Sequence, residues 1–127
     1  MFMEKLAKNI NDENFAEMID LKNFEQFKED FKKIESNSAL RKIYDSYLDI
    51  YDKPTYDVEK QIWIARIAYQ EKRGLLPTNG YNKRLKKYVE DSFTEFIKEL
   101  DKNLSKENFR KFLEVFVAYH KFFTGAK

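Results

Sequence analysis

Apolar residues recur through this chain at helical rather than strand spacing, and the longest such run closes the sequence. Placed at about 100° per residue, Phe109, Phe112, Leu113, Phe116, Val117, Tyr119, His120 and Phe123 share one broad face, which Val115 and Phe122 widen on one side. Arg110, Lys111, Glu114 and Lys121 are left as a narrow polar stripe. A surface helix needs an apolar stripe of roughly a hundred degrees, so the spacing predicts a core helix, an oligomer interface, or both.

The rest of the chain reads the same way. A short helix is expected over residues 3–10 and a second one, continuous or broken, over 13–34, where Phe24, Phe27 and Phe31 recur at helical intervals. Ser36-Asn37-Ser38 is a polar break whose side-chain oxygens suit an N-cap. A helix over 39–51 follows, closed by Asp52-Lys53-Pro54, with Thr55 expected to cap the next start. In that next helix, 56–73, Ile62, Trp63, Ile64, Ala65, Ile67 and Ala68 point all round the axis, which predicts a centrally buried element. Gly74 suits a left-handed helix end and Pro77 prevents continuation. A fourth long helix is expected over 81–100, and Ser105 caps the last. No window alternates strictly enough for a strand, so the fold class predicted is all-α, a compact bundle of five to six helices in one domain over residues 1–127.

Composition limits the function classes. Of 127 residues, 43% are hydrophobic and 36% charged, enough for one core and a soluble surface rather than a disordered chain. There is no apolar run of membrane-spanning length, and the opening Met-Phe-Met-Glu-Lys-Leu-Ala-Lys lacks the apolar stretch of a secretory signal, so a cytoplasmic protein is expected. The absence of Cys removes disulfide and thiolate chemistry. His120 is the only histidine and sits mid-face among aromatics, so it reads as a structural residue whose ring nitrogens find local partners rather than as a general acid or base. Without Cys or further His no zinc site can be built, and carboxylate pairs such as Glu13/Glu17 and Glu95/Glu99 read as solvated surface. No catalytic residue, metal site or cofactor is expected.

Charge is distributed unevenly. Residues 1–63 carry 10 Lys/Arg against 14 Asp/Glu, and residues 64–127 carry 14 against 8. Between residues 64 and 89, Arg66, Lys72, Arg73, Lys83, Arg84, Lys86 and Lys87 face a single acid, Glu71. On the expected helices Arg66 and Arg73 share a stripe beside Tyr69, while Lys83, Arg84 and Lys87 lie opposite a packing face of Tyr81, Leu85 and Tyr88. Such a patch suits nucleic-acid phosphates, which give affinity without sequence readout.

Three segments carry a family resemblance: Ser38-Ala39-Leu40-Arg41-Lys42-Ile43-Tyr44, Ala65-Arg66-Ile67-Ala68-Tyr69-Gln70-Glu71-Lys72-Arg73, and Phe116-Val117-Ala118-Tyr119-His120-Lys121 followed by Gly125. Together they resemble the small helical subunit of type III-A CRISPR interference (Csm) complexes. The resemblance covers residues 36–127; residues 1–35 form an acidic N-terminal region outside it. It implies a non-catalytic helical protein whose copies stack as an inner filament, contacting crRNA and target RNA and the other subunits of the effector complex in antiviral defence. Cleavage would belong to those other subunits. Matched residue by residue, Arg41, Lys42, Arg66, Arg73 and Lys121 are the implied RNA contacts; Lys83, Arg84 and Lys87 join them on charge alone.

Arg41 has a second reading, an ion pair with Asp45 four residues on. Val115, Tyr119 and Phe122 are the expected subunit interface, at or near the margin of the wide aromatic face. A dimeric helical adaptor that binds only protein would use the same face and leave the basic patch idle, whereas an enzyme would have to work through one His and scattered carboxylates.

Overall fold

The computed structural model describes residues 1–83 and 85–125. Four short helices open the chain, α1 (Glu4–Asn9), α2 (Phe15–Met18), α3 (Leu21–Glu25) and α4 (Lys28–Phe31), and two long ones follow, α5 (Asn37–Tyr51) and α6 (Tyr56–Lys72). An antiparallel hairpin, β1 (Gly80–Asn82) and β2 (Lys87–Val89), precedes α7 (Phe93–Asn103) and α8 (Lys106–Thr124). The fold is mostly helical, and of the two alternatives for 13–34, continuous or broken, the chain takes the broken one, as the short helices α2 to α4.

Local chemistry explains most boundaries. Ser36, Ser92 and Ser105 each accept a backbone N–H of the first turn they precede, from Ala39, Glu95 and Asn108 respectively. At the end of α6, Gly74 takes a left-handed φ of 84°, its N–H donates to Glu71 and that of Leu75 to Gln70, the paired bonds of a Schellman ending. Gly125 ends α8 likewise at φ 68°. Thr55 precedes α6 but makes no side-chain capping bond, contrary to expectation; only its carbonyl is used, by the N–H of Glu59.

The helix expected over 81–100 is not one element. Residues 80–82 and 87–89 pair as antiparallel strands, and the helix begins only at Phe93. Ser92 followed three residues later by Glu95 is the local start signal. Upstream, the Asn82 side chain accepts the N–H of Leu85 at 2.9 Å and Lys86 adopts φ 54°, which closes a four-residue loop between the strands.

The axis of the molecule is α8, which packs against α5, α3, α4 and α7. Its wide apolar face therefore has several covers: Phe109 meets Tyr47 of α5, Phe112 meets Phe24 of α3, and Phe116 meets Phe31 of α4 and Phe96 of α7. Phe2 inserts from the N-terminus with its ring 5.2 Å from Phe96 and 6.2 Å from Phe116. Residues from both the acidic N-terminal region and the remainder thus share one core.

By contrast, α6 is peripheral. Of its apolar residues only Trp63 and Ile67 are buried, while Ile62, Ala65 and Ala68 are exposed, so its all-round apolar pattern does not mark a central helix. Trp63 Nε1 donates to the Ile43 carbonyl and Ser46 Oγ, both at 3.0 Å, fastening α6 to α5. Lys60 reaches Asp101 of α7 at 2.9 Å; desolvation alone would lower the Lys60 pKa, but the hydrogen bond and charge of Asp101 raise it overall.

Candidate nucleic-acid interface

Packing α6 on α5 leaves a groove of about 410 Å³ near the C-terminal end of α6. Ile43, Ile67, Leu75 and Leu76 supply apolar lining, Ser36, Ser38 and Gln70 polar lining, and Lys42 and Arg66 the only charged lining among the described residues. Two of the expected RNA contacts, separated by 24 positions, therefore share one concavity to which no carboxylate of the described residues contributes.

Beyond the groove, α6 continues the positive stripe. Arg66, Tyr69 and Arg73 are exposed at helical intervals, and the Arg73 guanidinium lies 5.6 Å from the Tyr69 ring centre. Tyr69 keeps 61% of its surface exposed, so the cation and the aromatic face solvent together. Lys83 and Lys87 stand exposed on the hairpin, while Arg84 lies outside the described residues. The expected packing face of Tyr81, Leu85 and Tyr88 is instead exposed, because a hairpin, not a helix, carries it.

The one acid in this basic segment is used elsewhere. Glu71 Oε1 accepts the Ser92 hydroxyl and the Thr94 N–H, both at 2.8 Å, and Oε2 accepts from Thr78 at 3.4 Å. Its charge thereby sits at the positive start of α7 and ties the end of α6 to it. Among the described residues, Lys42, Arg66, Lys72, Arg73, Lys83, Lys86 and Lys87 meet no carboxylate within 4.0 Å. Their charge is left for solvent or a polyanion.

Other expected contacts lie apart. Arg41, one position from Lys42 and so about 100° round the helix, faces a cleft of about 200 Å³ with Asp45, Glu114 and Val117. The ion pair expected between Arg41 and Asp45 does not form within 4.0 Å, though both line that cleft. Lys121 is exposed on α8.

The interface candidates also separate. Phe122 is 66% exposed, its ring edge to face with that of Phe123 at 5.1 Å between centroids, and Val115 is half-buried. Tyr119 is committed within the chain: its hydroxyl donates to the Ile19 carbonyl at 2.8 Å and its ring lies 4.8 Å from Phe24. His120 is fully buried, with Nε2 donating to the Ile34 carbonyl at 2.7 Å and Nδ1 accepting from Asn37 at 3.0 Å. Both nitrogens are occupied by structural bonds.

What the sequence reading missed is the exposed pair Tyr81 and Tyr88. Their separation of seven suits one face of a helix, but it equally suits cross-strand partners one register back from the loop of a hairpin. Asn82 was the available signal, as a turn former inside the expected helix. No helix of the described residues is long and apolar enough to cross a membrane. No family model, curated protein or solved structure matches this chain.

Proposed function

We propose that this chain is a non-catalytic, RNA-binding small subunit of a cytoplasmic type III-A CRISPR effector complex, holding crRNA or target RNA by its phosphates. One observation carries the RNA reading: Lys42 and Arg66 line a groove that contains no carboxylate among the described residues, and Arg73 extends the same unneutralised surface at the end of α6. The resemblance of residues 36–127 supplies the complex, and the mostly helical fold supports it. Arg66 and Arg73 are the principal phosphate contacts, Lys42, Lys83 and Lys87 extend them, and Arg41 and Lys121 serve a separate surface.

An adaptor reading rests on Phe122, whose ring a monomer leaves 66% exposed. In the effector complex that ring meets another subunit or a second copy; in an adaptor it would meet protein while the basic surface stayed idle.

A salt series separates the two. Each phosphate neutralised contributes about 0.7 to the log–log slope for single-stranded nucleic acid. Parent protein should bind single-stranded RNA without sequence preference and lose it steeply as salt rises. The double variant Arg66→Glu, Arg73→Glu should show a shallower slope with unchanged helical circular dichroism. An identical slope in parent and double variant would remove these residues from the site. Co-purification with the products of neighbouring reading frames tests the complex itself.

A further inference from the structure

We propose that the β1–β2 hairpin is a stacking platform for unpaired RNA bases, so that this chain holds bases as well as phosphates. The proposal rests on the RNA-binding reading above.

In this hairpin Tyr81 pairs with Tyr88, Gly80 with Val89 and Asn82 with Lys87. Residues directly opposite on antiparallel strands point to the same side, and the two tyrosine rings meet edge to face with centroids 5.4 Å apart. Such a pair often covers a core, but here Tyr81 is 53% and Tyr88 80% exposed. Ring faces this open in water are available to another flat, polarisable surface.

Charge identifies that surface. Residues 72–89 contain no acid, and Lys83 and Lys86 between the strands and Lys87 on β2 are all exposed. Lys86 also holds φ 54°, a position that Gly or Asn fills at lower cost. A cation therefore occupies the site where backbone preference alone would place a neutral residue. Single-stranded nucleic acid combines a repeating negative backbone with flat bases, and proteins that bind it without sequence preference pair basic tracks with exposed aromatics. With bases against Tyr81 and Tyr88, the loop lysines meet the phosphates on either side, and Lys87, on the opposite face of the hairpin, adds field rather than contact.

The test compares the full chain binding a single-stranded RNA oligomer with its binding to the same backbone lacking bases. Parent protein should prefer the base-bearing strand by about fivefold or more. Tyr88→Ala, and more so Tyr81→Ala with Tyr88→Ala, should bring that ratio toward one while leaving the salt slope unchanged, and Tyr88→Phe should retain the preference. Equal binding of both strands by the parent, or an undiminished ratio in the double variant, would overturn the stacking proposal; an intact salt slope in that case would leave the phosphate reading standing. Absence of salt-dependent binding to either strand would overturn both. Preference for a protein partner over both RNAs, lost in the tyrosine variants, would reassign the hairpin to subunit assembly and overturn the proposal.

Discussion

Asn37 donates one amide hydrogen to His120 Nδ1 at 3.0 Å and the other to the Val117 carbonyl at 3.1 Å, clamping the start of α5 to the last turns of α8. Because Nδ1 accepts, the proton resides on Nε2, where it is donated to Ile34. His120→Leu would leave the Ile34 carbonyl and an Asn37 N–H buried without partners, a loss of about 1–3 kcal/mol for each group so orphaned. Thermal unfolding should register it, His120→Gln should lose less, and RNA affinity of the folded variants should not change. Nitrogen chemical shifts of the ring should report the Nε2–H form.

Glu71 gives a second test of how the helices are joined. Replacing it by Ala removes the acceptor for Ser92 and Thr94 at the start of α7. A destabilisation of about 1–2 kcal/mol is expected, the range of a helix cap. In a double-mutant cycle with Ser92→Ala the two losses should be less than additive. Full additivity would show that the bond between Ser92 and Glu71 contributes nothing to this joint.

The aromatic face of α8 divides into inside and outside. Phe116→Asp would bury an unpaired carboxylate among Phe2, Phe31, Phe93 and Phe96, and should unfold the chain. Phe122→Asp should cost less than about 1 kcal/mol, since that ring is mostly exposed. Under the proposed function it should nevertheless prevent self-association or incorporation into the complex. Incorporation equal to that of the parent would place assembly on another surface.

At alkaline pH, Tyr47 should govern part of the stability. Burial, and then its hydrogen bond with Tyr56, raise its pKa above the ordinary value of 10.0. A phenol whose folded pKa exceeds the unfolded one contributes stability that is complete below the unfolded value and declines as pH rises above it, because the unfolded chain then releases the proton. The stability difference between parent and Tyr47→Phe should therefore be constant below pH 10.0 and shift against the parent above it, by up to about 1.4 kcal/mol per pH unit. A difference that stays flat through that range would mean that Tyr47 ionises in the folded protein as it does in water.

Much of this molecule is determined by the sequence within short windows. Helical spacing of Phe109, Phe112, Leu113 and Phe116 defines the buried face of α8, and Ser36, Ser105, Gly74 and Gly125 mark helix ends through bonds to residues no more than a few positions away. The position of His120 within an apolar face also identifies it as a core residue. Spacing gives an angle about a helix's own axis, however, and says nothing about what lies across from that face. Only the tertiary structure decided that α8 rather than α6 is central, that Tyr119 turns to Ile19, that Arg41 and Lys42 look into different clefts, and that the partners of His120 come from residues 83 and 86 positions away. The hairpin at 80–89 has the same origin: the seven-residue interval between Tyr81 and Tyr88 fits either a helical stripe or a cross-strand pair. The Asn82 turn is a local signal, but the anchoring of Ser92 by Asn79 and Glu71, 13 and 21 positions away, lies outside any short window of sequence and decides between the two.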